Sequence, residues 1–181
     1  MALFGKRLGV DLGTINVLIY DNGQIVLQEP SLVALMAEEE RIVDFGQPAR
    51  EMLGRVDDED IHVLRPLQNG VIADYEVTEA MLEYFFGKIA GRIRLFRPSV
   101  MVSVPYGVTS VEKRAVREAV LAAGARDVQL IWEPLAAALG AGLPVSTPAG
   151  DMVINIGGGI TEAAVLTMNN IVRAESGRVG G

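Results

Sequence analysis

The sequence has no cysteine and one histidine, which excludes disulfide frameworks and thiolate metal sites and fits a reducing compartment. His62 has no cysteine or second histidine to share a metal with, so a structural role is expected for it. Basic residues are in the minority. Sixteen Lys and Arg against 23 Asp and Glu give a net charge of −7, so there is no overall electrostatic footprint for nucleic acid, and none is expected as a partner. No apolar run approaches the roughly 20 residues of a membrane span. The start, Met1 to Arg7, puts its charges after a short apolar stretch and is not read as a signal peptide, so a cytoplasmic location is expected. Two acidic runs, 38–40 and 57–60, read as solvated loops, with a metal site as the weaker alternative.

What is present is apolar content, at half of 181 residues, enough for one compact α/β domain with or without a small appendage. Short apolar runs at 8–11, 17–20, 25–28 and 32–36, broken by Asp21-Asn22-Gly23, predict a β-meander. A short helix is expected over 48–53, an extended stretch over 61–64 and a turn at Asn69-Gly70. A helix starting near Thr78 follows, with Met81, Leu82, Phe85, Phe86 and Ile89 at helical spacing. Then come a strand at 100–104, a helix capped by Thr109 and Glu112 with a stripe of Val111, Ala115, Val116, Ala119 and Val120, and a strand at 128–132. Glu133-Pro134 opens an alanine-rich helix, with proline at the first turn where its missing donor costs nothing. Strand and helix in alternation imply parallel pairing. Residues 146–150 form the best linker. Beyond it, 152–156, the glycines 157–159, 161–167 and 171–176 repeat the strand, loop and hairpin order of 8–28 as a weak internal repeat. No helix follows to cover these last strands, so an open face seeking a partner is expected.

Chemistry concentrates at three places. Asp11-Leu12-Gly13-Thr14 joins two strands, and glycine there permits close backbone approach to an anion while Thr14 offers a hydroxyl and Asn16 an amide; ordinary turn chemistry is the competing reading. Gly157-Gly158-Gly159 follows a buried strand, and two such loops in matching hairpins imply a phosphate held from both sides. Glu133 either orients a water against a phosphoryl group or simply complements the helix dipole. Trp132 beside it is read as core, with a nucleotide contact as the alternative.

The ordered segments Val10-Asp11-Leu12-Gly13-Thr14, Gln28-Glu29-Pro30-Ser31, Arg65-Pro66-Leu67, Gly70-Val71-Ile72-Ala73-Asp74, Val104-Pro105, Glu112-Lys113-Arg114-Ala115-Val116, Glu133-Pro134, Gly140-Ala141-Gly142-Leu143-Pro144 and Ile156-Gly157-Gly158-Gly159 span nearly the whole chain. In these it resembles the actin, sugar-kinase and heat-shock-chaperone ATPase superfamily, and within it the bacterial MreB proteins. The resemblance implies an α/β, actin-like (ribonuclease-H-like) mixed sheet with flanking helices. Residues 1–145 would be the first actin-like half with a small insert around 30–75, 146–150 a linker, and 151–181 the opening strands of an incomplete second half. It further implies ATP with Mg²⁺ as cofactor, Glu133 as the residue that positions the attacking water, and phosphate binding by Asp11, Gly13, Thr14, Asn16, Asn155, Gly157, Gly158, Gly159 and Thr161. Asp11 would meet Mg²⁺ through water.

Three residues depart from the family pattern. Asn155 stands where aspartate is usual, which removes a charge from the metal's water shell. Ile160 and Val17 each replace a threonine. The adenine pocket is also absent from these 181 residues, so poor nucleotide affinity and weakened or absent hydrolysis are expected, and assembly with copies of itself outranks turnover. An inactive excised fragment is a further reading. In the loop 92–97, Leu95 and Phe96 lie among Arg92, Arg94 and Arg97. Apolar tips flanked by cations suit an anionic membrane, as in MreB proteins, and would place the chain peripherally at the inner face of the cell membrane; packing of Leu95 and Phe96 under the loop is the alternative.

Overall fold

The computed structural model describes all residues except 1–5, 56–59 and 91–96. The chain opens as the expected meander, β1 (Arg7–Leu12), β2 (Asn16–Asp21) and β3 (Gln24–Pro30). Asn22 and Gly23 supply the positive φ of 46° and 87° that a tight hairpin turn requires. Next come β4 (Val33–Met36), β5 (Ile42–Phe45), α1 (Gly46–Met52) and β6 (Ile61–Leu64), with the strands forming a small sheet of their own in the order β5-β4-β6. A two-stranded ribbon, β7 (Leu67–Gln68) and β8 (Val71–Ile72), returns the chain to α2 (Tyr75–Ala90).

Next come β9 (Ser99–Val104), α3 (Ser110–Ala122), β10 (Asp127–Trp132) and α4 (Glu133–Gly140). β9 pairs parallel with β1, and β10 parallel with β9, completing a five-stranded mixed sheet in the order β10-β9-β1-β2-β3. One face of it is apolar at every second residue. Leu8, Val10 and Leu12, with Val100, Val102 and Val104, are buried against Met81, Leu82 and Phe85 of α2 and Val116, Ala119 and Val120 of α3. Each of these side chains larger than alanine contributes about 1.5–3 kcal/mol, so this layer dominates the stability of the sheet.

Two helix details differ from the pattern reading. α2 begins at Tyr75 rather than near Thr78, because the Asp74 carboxylate accepts from the Val77 amide at 3.1 Å and caps the helix there. The Thr78 hydroxyl turns back to the Asp74 carbonyl instead. In α3 the capping box forms as expected, Glu112 N donating to Thr109 Oγ1 and Thr109 N to Glu112 Oε2. Val111, however, is 74% exposed: the buried stripe begins one turn later.

The last strands, β11 (Asp151–Ile156), β12 (Thr161–Thr167) and β13 (Asn170–Gly177), form a separate antiparallel meander. α4 covers one face of it, where Ala138 and Val145 meet Ala164 and Leu166, so the helix preceding these strands supplies one of the faces the pattern reading left bare. Residues 145–147 are bonded to the end of this hairpin, through Met168 N to Thr147 O, Asn169 N to Val145 O and Thr167 Oγ1 to Thr147 O. The opposite face carries Met152, Ile154 and Ile156, each at least 60% exposed.

Candidate functional site

The internal repeat takes physical form in the two meanders: residues 13–15 join β1 to β2, and residues 157–160 join β11 to β12. In the first loop every carbonyl is occupied. Ser31 Oγ donates to Gly13 O at 2.6 Å, Arg65 Nη1 to Thr14 O at 3.1 Å, and Ser31 N to Ile15 O at 2.9 Å. Gly70 N donates to Thr14 Oγ1 at 3.1 Å, which leaves the hydroxyl hydrogen free to donate outward. Among the described residues no internal acceptor takes the amides of Gly13, Thr14 or Ile15. The loop is thus pinned by its acceptors and keeps its donors, which is what an anion needs.

The second loop is closed by Gly157 N donating to Ile160 O at 2.9 Å. Its glycines are required by proximity rather than by φ. A Cβ on Gly158 would collide with the Ile15 side chain, and one on Gly159 would stand 2.7 Å from Thr14 Oγ1. The two loops therefore touch. Thr161 lies at the rim, its hydroxyl donating to Val179 O at 2.7 Å, and Gly181 N reaches Gly157 O at 3.1 Å. Asn16 opens β2 opposite Pro30.

Below the loops, register assembles the polar groups in two cross-strand pairs. Asp11 on β1 faces Ser103 on β9, whose hydroxyl donates to Asp11 Oδ1 at 2.9 Å. Asn155 on β11 faces Glu162 on β12. Glu133 heads α4 and joins them: Asn155 Nδ2 donates to Glu133 Oε2 at 3.3 Å. Burial pushes the Glu133 carboxyl up to about 8, helped by the neighbouring charges of Asp11 and Glu162. Burial also raises Asp11, with the Ser103 hydrogen bond opposing it. Burial is thus the leading cause of both raised carboxyls. The donor set suits a divalent cation held through its waters; among the described residues no three His, Cys, Asp or Glu side chains are placed to ligate a metal directly.

Glu162 and Ser103 are the members that motif reading missed. Trp132 is only half-buried; Lys113 Nζ lies 4.1 Å above its ring and the Tyr106 ring 5.2 Å away. Beside it a cavity of about 280 Å³ is lined by Val104, Lys113, Leu130, Ile131, Trp132 and Leu135. Of the residues expected at a membrane, Arg94, Leu95 and Phe96 lie outside the described residues, and Arg97 is exposed.

Comparison with known proteins decides the family: a family model described as MreB/Mbl protein matches residues 5–181. The chain belongs to the MreB/Mbl family. The cell shape-determining protein MreB of Pasteurella multocida is 52% identical over 186 aligned residues, covering 99% of this chain and 52% of that protein. The cell shape-determining protein Mbl of Bacillus subtilis is 44% identical over 180, covering 99% and 54%. The chain thus spans about half the length of the curated relatives it matches. Among solved structures, MreB5 of Spiroplasma citri bound to ADP superposes with a TM-score of 0.88 at 35% identity, covering 97% of this chain and 53% of that one. A MamK double helical filament, at 20% identity, covers 96% and 55% with a TM-score of 0.76, which shows the shared fold alone. The actin-like architecture expected for an MreB/Mbl chain is therefore the one observed.

Proposed function

We propose that this chain is the first half, with the opening strands of the second, of an actin-like cell-shape protein that grips the phosphates of ATP between its two loops, assembles with copies of itself and acts at the inner membrane surface. The observation that carries the reading is the meeting of the loops, Gly158 on Ile15 and Gly159 on Thr14, with the amides of the first loop spare beside them. The MreB5 structures bound to ADP and to AMPPNP support the choice of nucleotide. The relatives named as cell shape-determining proteins support the cellular role.

In this reading Gly13, Thr14 and Asn16 donate to phosphate oxygens from one side, and Gly157, Gly158 and Gly159 from the other, with Thr161 at the rim. Asp11 and Asn155 would hold the waters of Mg²⁺, which when bound neutralises phosphate charge. Glu133 faces the terminal phosphate. Asn155 brings no charge to attract the cation, which favours weak hydrolysis, so the chain is read as an assembling protein before an enzyme.

Self-association is supported by the open apolar face of β11, and membrane contact by the sequence of residues 92–97. Calorimetric titration with AMPPNP and Mg²⁺ tests the nucleotide site: binding is expected, weakened at least tenfold by Thr14→Ala, and its absence at millimolar nucleotide sinks the reading. Sedimentation with anionic liposomes tests the rest; a monomer that stays in the supernatant refutes assembly and membrane contact together. A second reading, ATP hydrolysis, rests on Glu133 and requires phosphate release that Glu133→Ala abolishes.

A further inference from the structure

The first loop is shaped from outside: residues 13–15 make no backbone hydrogen bond to one another. A trans peptide is planar, with its C=O and N–H on opposite sides. A donor that holds a carbonyl from one side of the loop therefore turns the next residue's N–H to the other side. Ser31 Oγ does this at Gly13 O, 2.6 Å away, for the Thr14 amide, and Arg65 Nη1 does it at Thr14 O, 3.1 Å away, for the Ile15 amide. Arg65 Nη1 also reaches Ile15 O at 3.4 Å.

Arg65 differs from Ser31 in carrying a charge. Among the described residues it makes no ion pair, and it is the only cation hydrogen-bonded to either loop. The side chains gathered below the loops are mostly acids, Asp11, Glu133 and Glu162, so an anion gains no compensating charge from them. The base of Arg65 is fixed on both sides. Leu64 pairs with Val33 across β6 and β4, and the buried Pro66 accepts through its carbonyl from the amides of Ala73 at 2.9 Å and Asp74 at 3.2 Å.

We propose that Arg65 is a positioning residue for the phosphate site: it holds the first loop by the Thr14 and Ile15 carbonyls, turns the Ile15 amide toward the bound phosphate and sets an unpaired positive charge behind that amide. The inference deepens the nucleotide reading and rests on it for the identity of the anion. A charge-assisted bond to a carbonyl polarises the peptide and makes its N–H a stronger donor. Lysine at 65 keeps the charge and a donor but loses the planar guanidinium. Glutamine loses the charge and is shorter.

The test is calorimetric titration with AMPPNP and Mg²⁺, paired with NMR of the isotope-labelled 181-residue chain without nucleotide. Arg65→Gln is expected to weaken binding about tenfold or more and to move the Ile15 amide proton upfield in the nucleotide-free chain. Arg65→Lys should recover most of the lost affinity. Unaltered binding by folded Arg65→Gln overturns the proposal, and so does Arg65→Lys binding no better than Arg65→Gln, since charge then has no part. Weaker binding with an unmoved Ile15 amide overturns it as well, because the loss then does not pass through the loop. If neither variant folds, the wild type decides: its Arg65 guanidinium protons should shift on adding AMPPNP and Mg²⁺, and unmoved protons overturn the proposal. Wild type that binds no AMPPNP at millimolar concentration overturns the nucleotide reading, and with it the anion assigned to Arg65. Wild type that binds while Arg65→Gln binds equally overturns the role of Arg65 alone.

Discussion

Asn155 donates its side-chain amide to Glu133 Oε2 at 3.3 Å, joining the end of β11 to the first residue of α4. That contact needs a donor. An aspartate there would put a fourth carboxyl beside Asp11, Glu133 and Glu162, and it could not donate to Glu133 Oε2 as the Asn155 amide does. Asn155→Asp is therefore expected to lower the stability of the metal-free chain by about 1–3 kcal/mol, the cost of leaving a buried polar group unsatisfied. Millimolar Mg²⁺ should return more stability to the variant than to the wild type. Melting curves with and without Mg²⁺ check this, and an equal response in both proteins contradicts the charge argument.

The pH dependence of stability follows from Glu133. Its carboxyl titrates near 8 in the folded chain against 4.5 when unperturbed, so between those values the folded state holds a proton that the unfolded state has lost. The sign is then fixed: this contribution is complete below about pH 4.5 and falls away as pH rises through 8. Asp11, also raised, acts in the same direction. Glu112 and Asp127, held below their usual values by hydrogen bonds, lose their contributions only in acid and stay outside this window. The expected loss is on the order of 2–3 kcal/mol, or about 5–10 °C in melting temperature between pH 5.5 and 8.5. Glu133→Gln should flatten that slope; a slope that survives the substitution assigns the effect elsewhere.

The hairpins, the capping box and both loops were legible in the sequence because each is fixed by local chemistry: Asn-Gly in a turn, Thr109 with Glu112 three residues on, glycine between strands. Glu162 was not legible as motif, yet it left a signal. It sits on the same strand parity as Ala164 and Leu166, an acid at a core position, and that alternation marks a buried carboxyl in need of a partner. Which partner depends on the β11–β12 register and on the placement of α4, and neither is local information. The start of α2 was misplaced because Thr78 and Asp74 both carry capping chemistry. Val111 was misassigned because helical spacing gives a direction but not how far the covering sheet extends.

Contact between the two loops makes Gly158 a steric rather than a conformational requirement. Its φ lies outside the left-handed region, and the obstacle to a side chain is Ile15 across the loop interface. Gly158→Ala should cost about 1–3 kcal/mol by overpacking and weaken nucleotide binding as the loops part. Ile15→Ala, which removes the two nearest colliding atoms, Cγ1 and Cδ1, should recover most of that stability in the double variant. Thermal unfolding of the four proteins forms a double-mutant cycle, and purely additive losses would mean that the loops do not bear on each other.

The outward face of β11 gives the sharpest test of assembly. Met152, Ile154 and Ile156 point away from α4, and among the described residues β11 pairs only with β12, which leaves its other edge without a strand partner there. An exposed, flat apolar strand with a free edge invites pairing with another chain. Replacing Ile154 with lysine puts a charge at the centre of the face without touching the core beneath, where Val153 and Ala164 pack. The melting temperature should stay within about 2 °C of the wild type, since a solvent-facing substitution costs within about 0.5 kcal/mol. Sedimentation velocity at high concentration should show the wild type as oligomers and the Ile154→Lys protein as a monomer. If the variant assembles as readily as the wild type, the contact between copies lies elsewhere, and the face of β11 is covered by something other than another chain of this kind.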